Sequence, residues 1–212
     1  MITTQQTNDF KEILMGRHSI RNYDTSVKIS KEEMTEILTE ATLAPSSFNM
    51  QPWRFLVIES DEGKVTLAPL ARFNQTQVET SSAVIAVLGD LNNFEYGEEI
   101  YGKTVELGYM PLEVKEMLMS NIAAHYSTLD SQDMKETVFI DGGLVAMQLM
   151  LAARAHGYDT CPIGGFEKDK IVEAFGLDQD RYVPVMLISI GKAAEDGHKS
   201  VRLPIHQIAH WK

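Results

Sequence analysis

Pro45-Ser46-Ser47-Phe48-Asn49-Met50-Gln51-Pro52-Trp53 lies between two stretches of different hydrophobic period, and its reading organises the chain. Upstream, Met34, Ile37, Leu38 and Ala41 recur at helical spacing behind Ser30 and Glu33, a pair read as a capping box. Pro45 is expected to end that helix. Downstream, Trp53 to Ile58 reads as a strand, with a turn expected near Gly63. Between them, four hydrogen-bonding side chains stand between two prolines. Such a segment is either a rigid loop that reads a planar polar ligand or a connector rich in turn formers.

Working outward, Ala83 to Leu88 is a short apolar run with the character of a buried strand, and Val183 to Ile190 is a second. Phe10, Ile13 and Leu14 share one face of a short helix that stops at Gly16, leaving Arg17 to Arg21 in a loop or turn. From Asn92 to about Leu129 the pattern is helical but weakly amphipathic, with Tyr96, Tyr101, Tyr109 and Met110 interspersed. Lys135 to His156 is apolar on nearly every face, so it is expected to be buried all round, against its own sheet or a second subunit. Lys168 to Phe175 is a short helix with Gly176 as its stop. The tail from Lys192 to Lys212 has charge and aromatics but little period. No repeat, low-complexity tract or linker divides residues 1–212, which read as a single domain. Strands are too few for a doubly wound sheet, and the expected class is α+β, helices around a small sheet.

A chain of 212 residues with 44% hydrophobic and 23% charged residues can bury a sizeable core without a disulfide or metal staple. Its 30 acidic residues outnumber 19 Lys plus Arg, for a net charge of -11, so DNA and anionic membranes are repelled by most of the surface. An anionic ligand must therefore be held by a local cluster of cations. The lone Cys161 cannot form an internal disulfide, which fits a reducing compartment. Met1 to Lys11 is polar, with no signal-peptide core, and Val138 to Ala153 is interrupted by Asp141 and Gln148 and reads as too short to span a bilayer. A soluble, cytoplasmic protein is expected.

Several motifs are missing: there is no G-x-G-x-x-G, no P-loop, no G-x-S-x-G elbow and no H-E-x-x-H. His206 and His210 stand four apart without a third ligand nearby, and read as a surface pair; no metal is expected. Three further segments carry chemistry. Arg17-His18-Ser19-Ile20-Arg21 has two guanidinium forks suited to phosphate, or to surface carboxylates. Cys161-Pro162-Ile163-Gly164-Gly165-Phe166 has paired glycines that admit a ligand close to the backbone, or make a tight turn; Cys161 itself reads as a buried structural thiol. Lys199-Ser200-Val201-Arg202-Leu203-Pro204 puts two cations in the tail, where solvation alone would also explain them.

Taken in order, R-H-S-x-R, P-S-S-x-N-x-Q-P-W, P-x-G-G-F and K-S-x-R-L-P resemble the FMN-dependent nitroreductase family, and the match covers nearly the whole chain. The resemblance implies a nitroreductase-like fold, a small mixed or antiparallel sheet flanked by helices, in an intertwined homodimer with FMN at each subunit interface. Arg17, His18, Ser19 and Arg21 would hold the phosphate and ribityl end, with Lys199 and Arg202 closing on the phosphate. Pro45, Ser46, Ser47, Asn49 and Gln51 would come from the other subunit. Pro162, Ile163, Gly164 and Gly165 would lie along the ring, with the Gly164 N–H near flavin N5. Asn74 would bond the pyrimidine edge, and Arg21 or another cation would stabilise the N1/O2 edge. The helical insertion at about 92–129 would lie over the active site.

The activity implied is ping-pong hydride transfer from NAD(P)H, through flavin N5, to nitroaromatics, quinones or similar electron-poor acceptors. Because the flavin carries the chemistry, no catalytic side chain is assigned. A dedicated flavin or enone reductase on the same fold, and a flavin-binding or sensing protein without significant turnover, are the alternatives.

Overall fold

In the computed structural model, residues 5–212 are described. Met1–Thr4, part of the segment read for a leader, lie outside the described residues. The sheet is made of β1 (Trp53–Ile58), β2 (Ala83–Asp90), β3 (Asp159–Ile163) and β4 (Tyr182–Gly191), in the order β1-β2-β4-β3 with every neighbour antiparallel. The helices are α1 (Phe10–Gly16), α2 (Lys31–Ala41), α3 (Asp61–Leu67), α4 (Gln75–Thr80), α5 (Gly97–Glu106), α6 (Leu112–Tyr126), α7 (Ser131–Ala155), α8 (Lys168–Ala174) and α9 (Ile205–Ile208).

Why β2 is apolar without alternation is visible in its two faces. Ala83, Ile85 and Val87 join a core with α2 and α7, whereas Val84, Ala86 and Leu88 join a second with Leu67, Val78 and Ile171. A strand covered on both sides needs no polar face. The architecture is therefore α+β, with helices on both faces of a small antiparallel sheet.

α7 lies directly on that sheet: a Cβ at Gly142 would stand 2.7 Å from Val185 Cγ2, so glycine lets helix and strand approach. Val145, Ala146, Leu149 and Ala153 are buried beneath it. The expectation of burial on every face is not met within one chain. Ile140 is 67% exposed and Leu144 43%, on the face turned from the sheet. Helical period places both stripes, but only packing shows which stripe this chain covers itself. α7 also runs 25 residues, longer than the apolar stretch read from sequence, and by length and composition it could cross a membrane; half of its most apolar window is packed inside the protein instead.

Other expectations shift locally. Ser30 caps α2 by accepting the Glu33 N–H, but the Glu33 carboxylate accepts from the Tyr158 hydroxyl at 2.7 Å rather than closing a box. α2 ends at Ala41, four residues before Pro45, where Thr42 closes the last turn. Gly63 is not in a turn; it lies in α3, where its N–H satisfies the Ser60 cap at 3.1 Å. β3 was hidden from sequence, since Pro162 argues against a strand and the following glycines suggested a turn. It survives as an edge strand, the place in a sheet that tolerates a missing N–H.

Candidate functional site

After α1 the chain runs along the free edge of β3. Ser19 pairs with Thr160 in a parallel bridge, and the Ile20 N–H donates to the Thr160 carbonyl at 3.1 Å. Extended backbone sends alternate side chains to opposite sides. Arg17, Ser19 and Arg21 fall on one side, near Cys161, where they oppose the rise that burial imposes on the thiol pKa. His18 and Ile20 fall on the other, lining a cavity of 490 Å³ with Arg154 and Asp159. The segment read as a loop is thus a pseudo-strand that sorts its own residues.

Asn74 joins this side. Its Nδ2 donates to the Gly165 carbonyl at 3.2 Å and to the Arg72 carbonyl at 2.8 Å, while its Oδ1 accepts from Gln77 Nε2 at 3.0 Å. Arg21, Asn22, Phe73, Asn74 and Gln77 line a further cavity of 570 Å³. Pro162 and Ile163 end β3, and Gly164 and Gly165 follow it, exposed. Neither has a positive φ, so neither glycine is required by a left-handed backbone. A Cβ at Gly164 would meet nothing within 4 Å, so this glycine leaves open space beside its backbone.

The tail departs from the same place. A Cβ at Gly197 would lie 2.7 Å from His18 Cβ, so Lys199 is two residues, at most about 7 Å of chain, from the Arg17–Arg21 segment. Arg202, further along the exposed tail, donates only to Ser200 Oγ at 2.7 Å and to its neighbour's carbonyl. Ion pairing separates the arginines into two sets. Arg54 and Arg181 hold Asp90, Arg72 pairs with Glu167, and Arg154 with Asp159. Arg17, Arg21 and Arg202 have no carboxylate within 4.0 Å among the described residues. In a chain of net charge -11, guanidinium groups left without carboxylates are available to another anion.

The 45–51 segment is built separately. Phe48, Asn49 and Gln51 have φ of 49°, 53° and 47°, a left-handed conformation that costs a non-glycine residue about 1–3 kcal/mol. Neighbours hold it: the Gln51 N–H donates to Ser46 Oγ at 3.0 Å, Arg54 to the Gln51 carbonyl at 3.0 Å, and the Tyr101 hydroxyl to the Phe48 carbonyl at 3.0 Å. Pro45, Ser46 and Ser47 sit over the outer face of α7, while Asn49 and Gln51 open on a cavity of 800 Å³ with Trp53, Tyr96, Ile100 and Tyr109. Among the described residues, no hydrogen bond, ion pair or cavity joins this loop to the arginine cluster. Within one chain the two groups of residues stand apart.

With both groups described, sequence comparison becomes decisive: a model described as the nitroreductase family matches residues 14–192. This chain belongs to the nitroreductase family. It is 69% identical over 207 residues to YdgI of Bacillus subtilis, assigned as an NAD(P)H nitroreductase, covering 98% of this chain and 99% of that one. A structure from Exiguobacterium sibiricum, assigned as a nitroreductase and solved in complex with FMN, superposes with a TM-score of 0.97 at 66% identity, covering 99% and 100% of the two chains. The enone reductase of conjugated linoleic acid (CLA) biosynthesis from Lactiplantibacillus plantarum is 36% identical over 190 residues, 89% of this chain and 88% of that one.

Within this nitroreductase-family chain, three functional supports escaped the sequence reading. Asp90, fully buried, is bonded by both Arg54 and Arg181, whose guanidinium groups lie 4.4 and 5.9 Å from the Tyr96 ring; this ties the start of the 92–129 region to the sheet. Asp141 is buried in α7 and accepts the Ser47 N–H at 3.1 and 3.2 Å; burial raises its pKa and the bond to Ser47 opposes that shift. Tyr101, seen only as part of an aromatic scatter, reaches Phe48. The signal for Asp141 was present, a carboxylate interrupting an apolar helix, but it was used only to argue against a membrane span. Cys161 is buried, and burial raises its pKa despite Arg21 and Ser19, as expected of a structural thiol. α9 ends at Ile208, so His206 and His210 do not share a helix.

Proposed function

We propose that this protein is an FMN-dependent oxidoreductase that takes hydride from NAD(P)H and passes it to nitroaromatics, quinones or similar electron-poor acceptors. The observation that carries the reading is the ion-pair pattern: among the described residues, the arginines without carboxylates are the three assigned to phosphate, and every other arginine has one. An FMN phosphate brings nearly two negative charges, so it matches the donor set of Arg17, Ser19, Arg21, Lys199 and Arg202. The FMN held by the Exiguobacterium structure supports the same assignment.

Bound flavin supplies the redox chemistry, accepting hydride from the nicotinamide and delivering it to the acceptor. The chain's part is positioning. Asn74 orients Gly165 through its side-chain amide, and Gly164 keeps open space beside its backbone. His18 turns its side chain to the opposite side of its segment, so its part in holding the cofactor would be through its backbone. With one open cleft, donor and acceptor take turns, giving parallel double-reciprocal lines.

The reading requires a second copy of the chain to bring its 45–51 loop to the arginine cluster. Exposed apolar side chains support that need: Phe10 and Met15 on α1, Ile140 and Leu144 on α7, and Val201, Ile205 and Trp211 in the tail. A second reading, reduction of a conjugated enone, is favoured by the 36% identity to the enone reductase. An absorption spectrum of the purified protein before and after anaerobic NADH or NADPH tests the first reading. Flavin bands that bleach establish the reductive half-reaction; colourless protein that takes up no added FMN rejects it. Comparing turnover of a nitroaromatic and an enone then separates the two acceptor classes.

A further inference from the structure

We propose that Asp141 is a positioning residue for the flavin site, anchoring the strained 45–51 loop through the Ser47 amide. The proposal rests on the flavin reading above. Asp141 lies in the middle of α7, beside the buried stripe of Val138, Gly142 and Val145 that packs on the sheet, and is only 4% exposed. Both of its oxygens face one backbone N–H, that of Ser47, at 3.1 and 3.2 Å. A carboxylate placed among apolar side chains for a single amide is a poor stabiliser, since desolvation opposes the bond. Burial raising its pKa says the same in another form. Its retention is explained by what the bond fixes.

That is the entry to a stretch in which three of four residues have a left-handed backbone. Ser47 precedes Phe48 and Asn49, both at positive φ, with Gln51 following. The other end of the loop is tied by Ser46 Oγ and by Arg54, and its crest by Tyr101. Asp141 hydrogen-bonds the loop's first half to α7, so it converts the rigidity of the core helix into a fixed direction for Ser46, Ser47 and Asn49. A loop held in its bound conformation before the ligand arrives loses less entropy on binding.

Asp141→Ala and Asp141→Asn test this with three readouts: FMN dissociation constant by flavin fluorescence, hydrogen exchange of peptides covering the loop and β2, and thermal stability. Roughly tenfold weaker FMN binding is expected for the alanine variant and a smaller loss for asparagine, whose carbonyl still accepts one bond. Exchange at the loop should quicken while β2 stays protected, and the asparagine variant should melt no lower than wild type. Loop exchange and FMN affinity both unchanged would overturn the role of Asp141. Faster exchange in loop and β2 together, with lowered melting in both variants, would overturn it in favour of plain structural support. Wild-type protein that takes up no FMN would instead overturn the flavin reading itself, and with it the ligand named here.

Discussion

Asn74 Nδ2 donates to the carbonyl of Gly165 at 3.2 Å, a bond between residues 91 positions apart that joins the start of α4 to the glycine pair after β3. It fixes Asn74 against one of the four segments singled out in the sequence, the one that carries Gly164 and Gly165. Asn74→Ala should therefore loosen the glycine segment and weaken FMN binding about five- to tenfold, the scale of one neutral hydrogen bond. Because Asn74 is half-buried at a helix end, thermal stability should fall only slightly. Flavin fluorescence titration and a melting curve check both; an unchanged affinity would take Asn74 out of the site.

Charge gives a sharper contrast. Arg17→Ala or Arg202→Ala should each cost about 1.5–3 kcal/mol of FMN affinity, roughly ten- to a hundredfold, because each removes a charge-assisted bond to phosphate. Arg154→Ala should behave oppositely. Its partner Asp159 is buried, with Nη1 at 2.7 Å, so the variant should lose about 3 kcal/mol of stability while the folded fraction keeps its FMN affinity. Urea unfolding alongside FMN titration distinguishes the two classes.

Cys161 is a buried thiol whose pKa burial raises, although Arg21, Ser19 and Arg17 pull it back. Alkylating reagents attack the thiolate. In native protein at neutral pH, labelling by iodoacetamide should be slow, and it should become stoichiometric only in denaturant. Rapid modification of the native protein, read by mass spectrometry, would contradict the structural assignment.

At alkaline pH the tyrosines set the limit. Tyr126 is pushed up to about 12, first by burial and then by the Asp141 and Tyr101 charges, while its hydroxyl donates to Asn93 Oδ1 at 2.7 Å. The folded state holds that proton more tightly than the unfolded chain, whose tyrosine pKa is about 10. The stabilisation is therefore whole below pH 10 and is lost as the pH rises from 10 through 12. Urea unfolding across this window should show falling stability, with a shallower fall in Tyr126→Phe. Tyr23, Tyr101 and Tyr158 shift in the same direction, so the slope should shrink without vanishing.

Local patterns in the sequence determined much of this protein. Helical period located α2, the 92–129 helices and α7; apolar runs located β1, β2 and β4; and the order of four short motifs, through the family they resemble, singled out Arg17, Arg21 and Arg202 for phosphate. These are properties of neighbours in the chain, where spacing and side-chain chemistry act directly. The tertiary structure decided what depends on distant partners. Pro162 could enter β3 because the order β1-β2-β4-β3 leaves that strand at an edge. His18 parted from Arg17 and Arg21 because the segment pairs with Thr160 and so alternates its side chains. Asp141 gained its meaning only when α7 brought it under Ser47, 94 residues away in sequence. Which arginines stand without carboxylates is likewise invisible in a composition of 30 acids and 19 bases. Ion pairing is settled by distances of a few ångströms across the fold, and those distances are set by packing rather than by order along the chain.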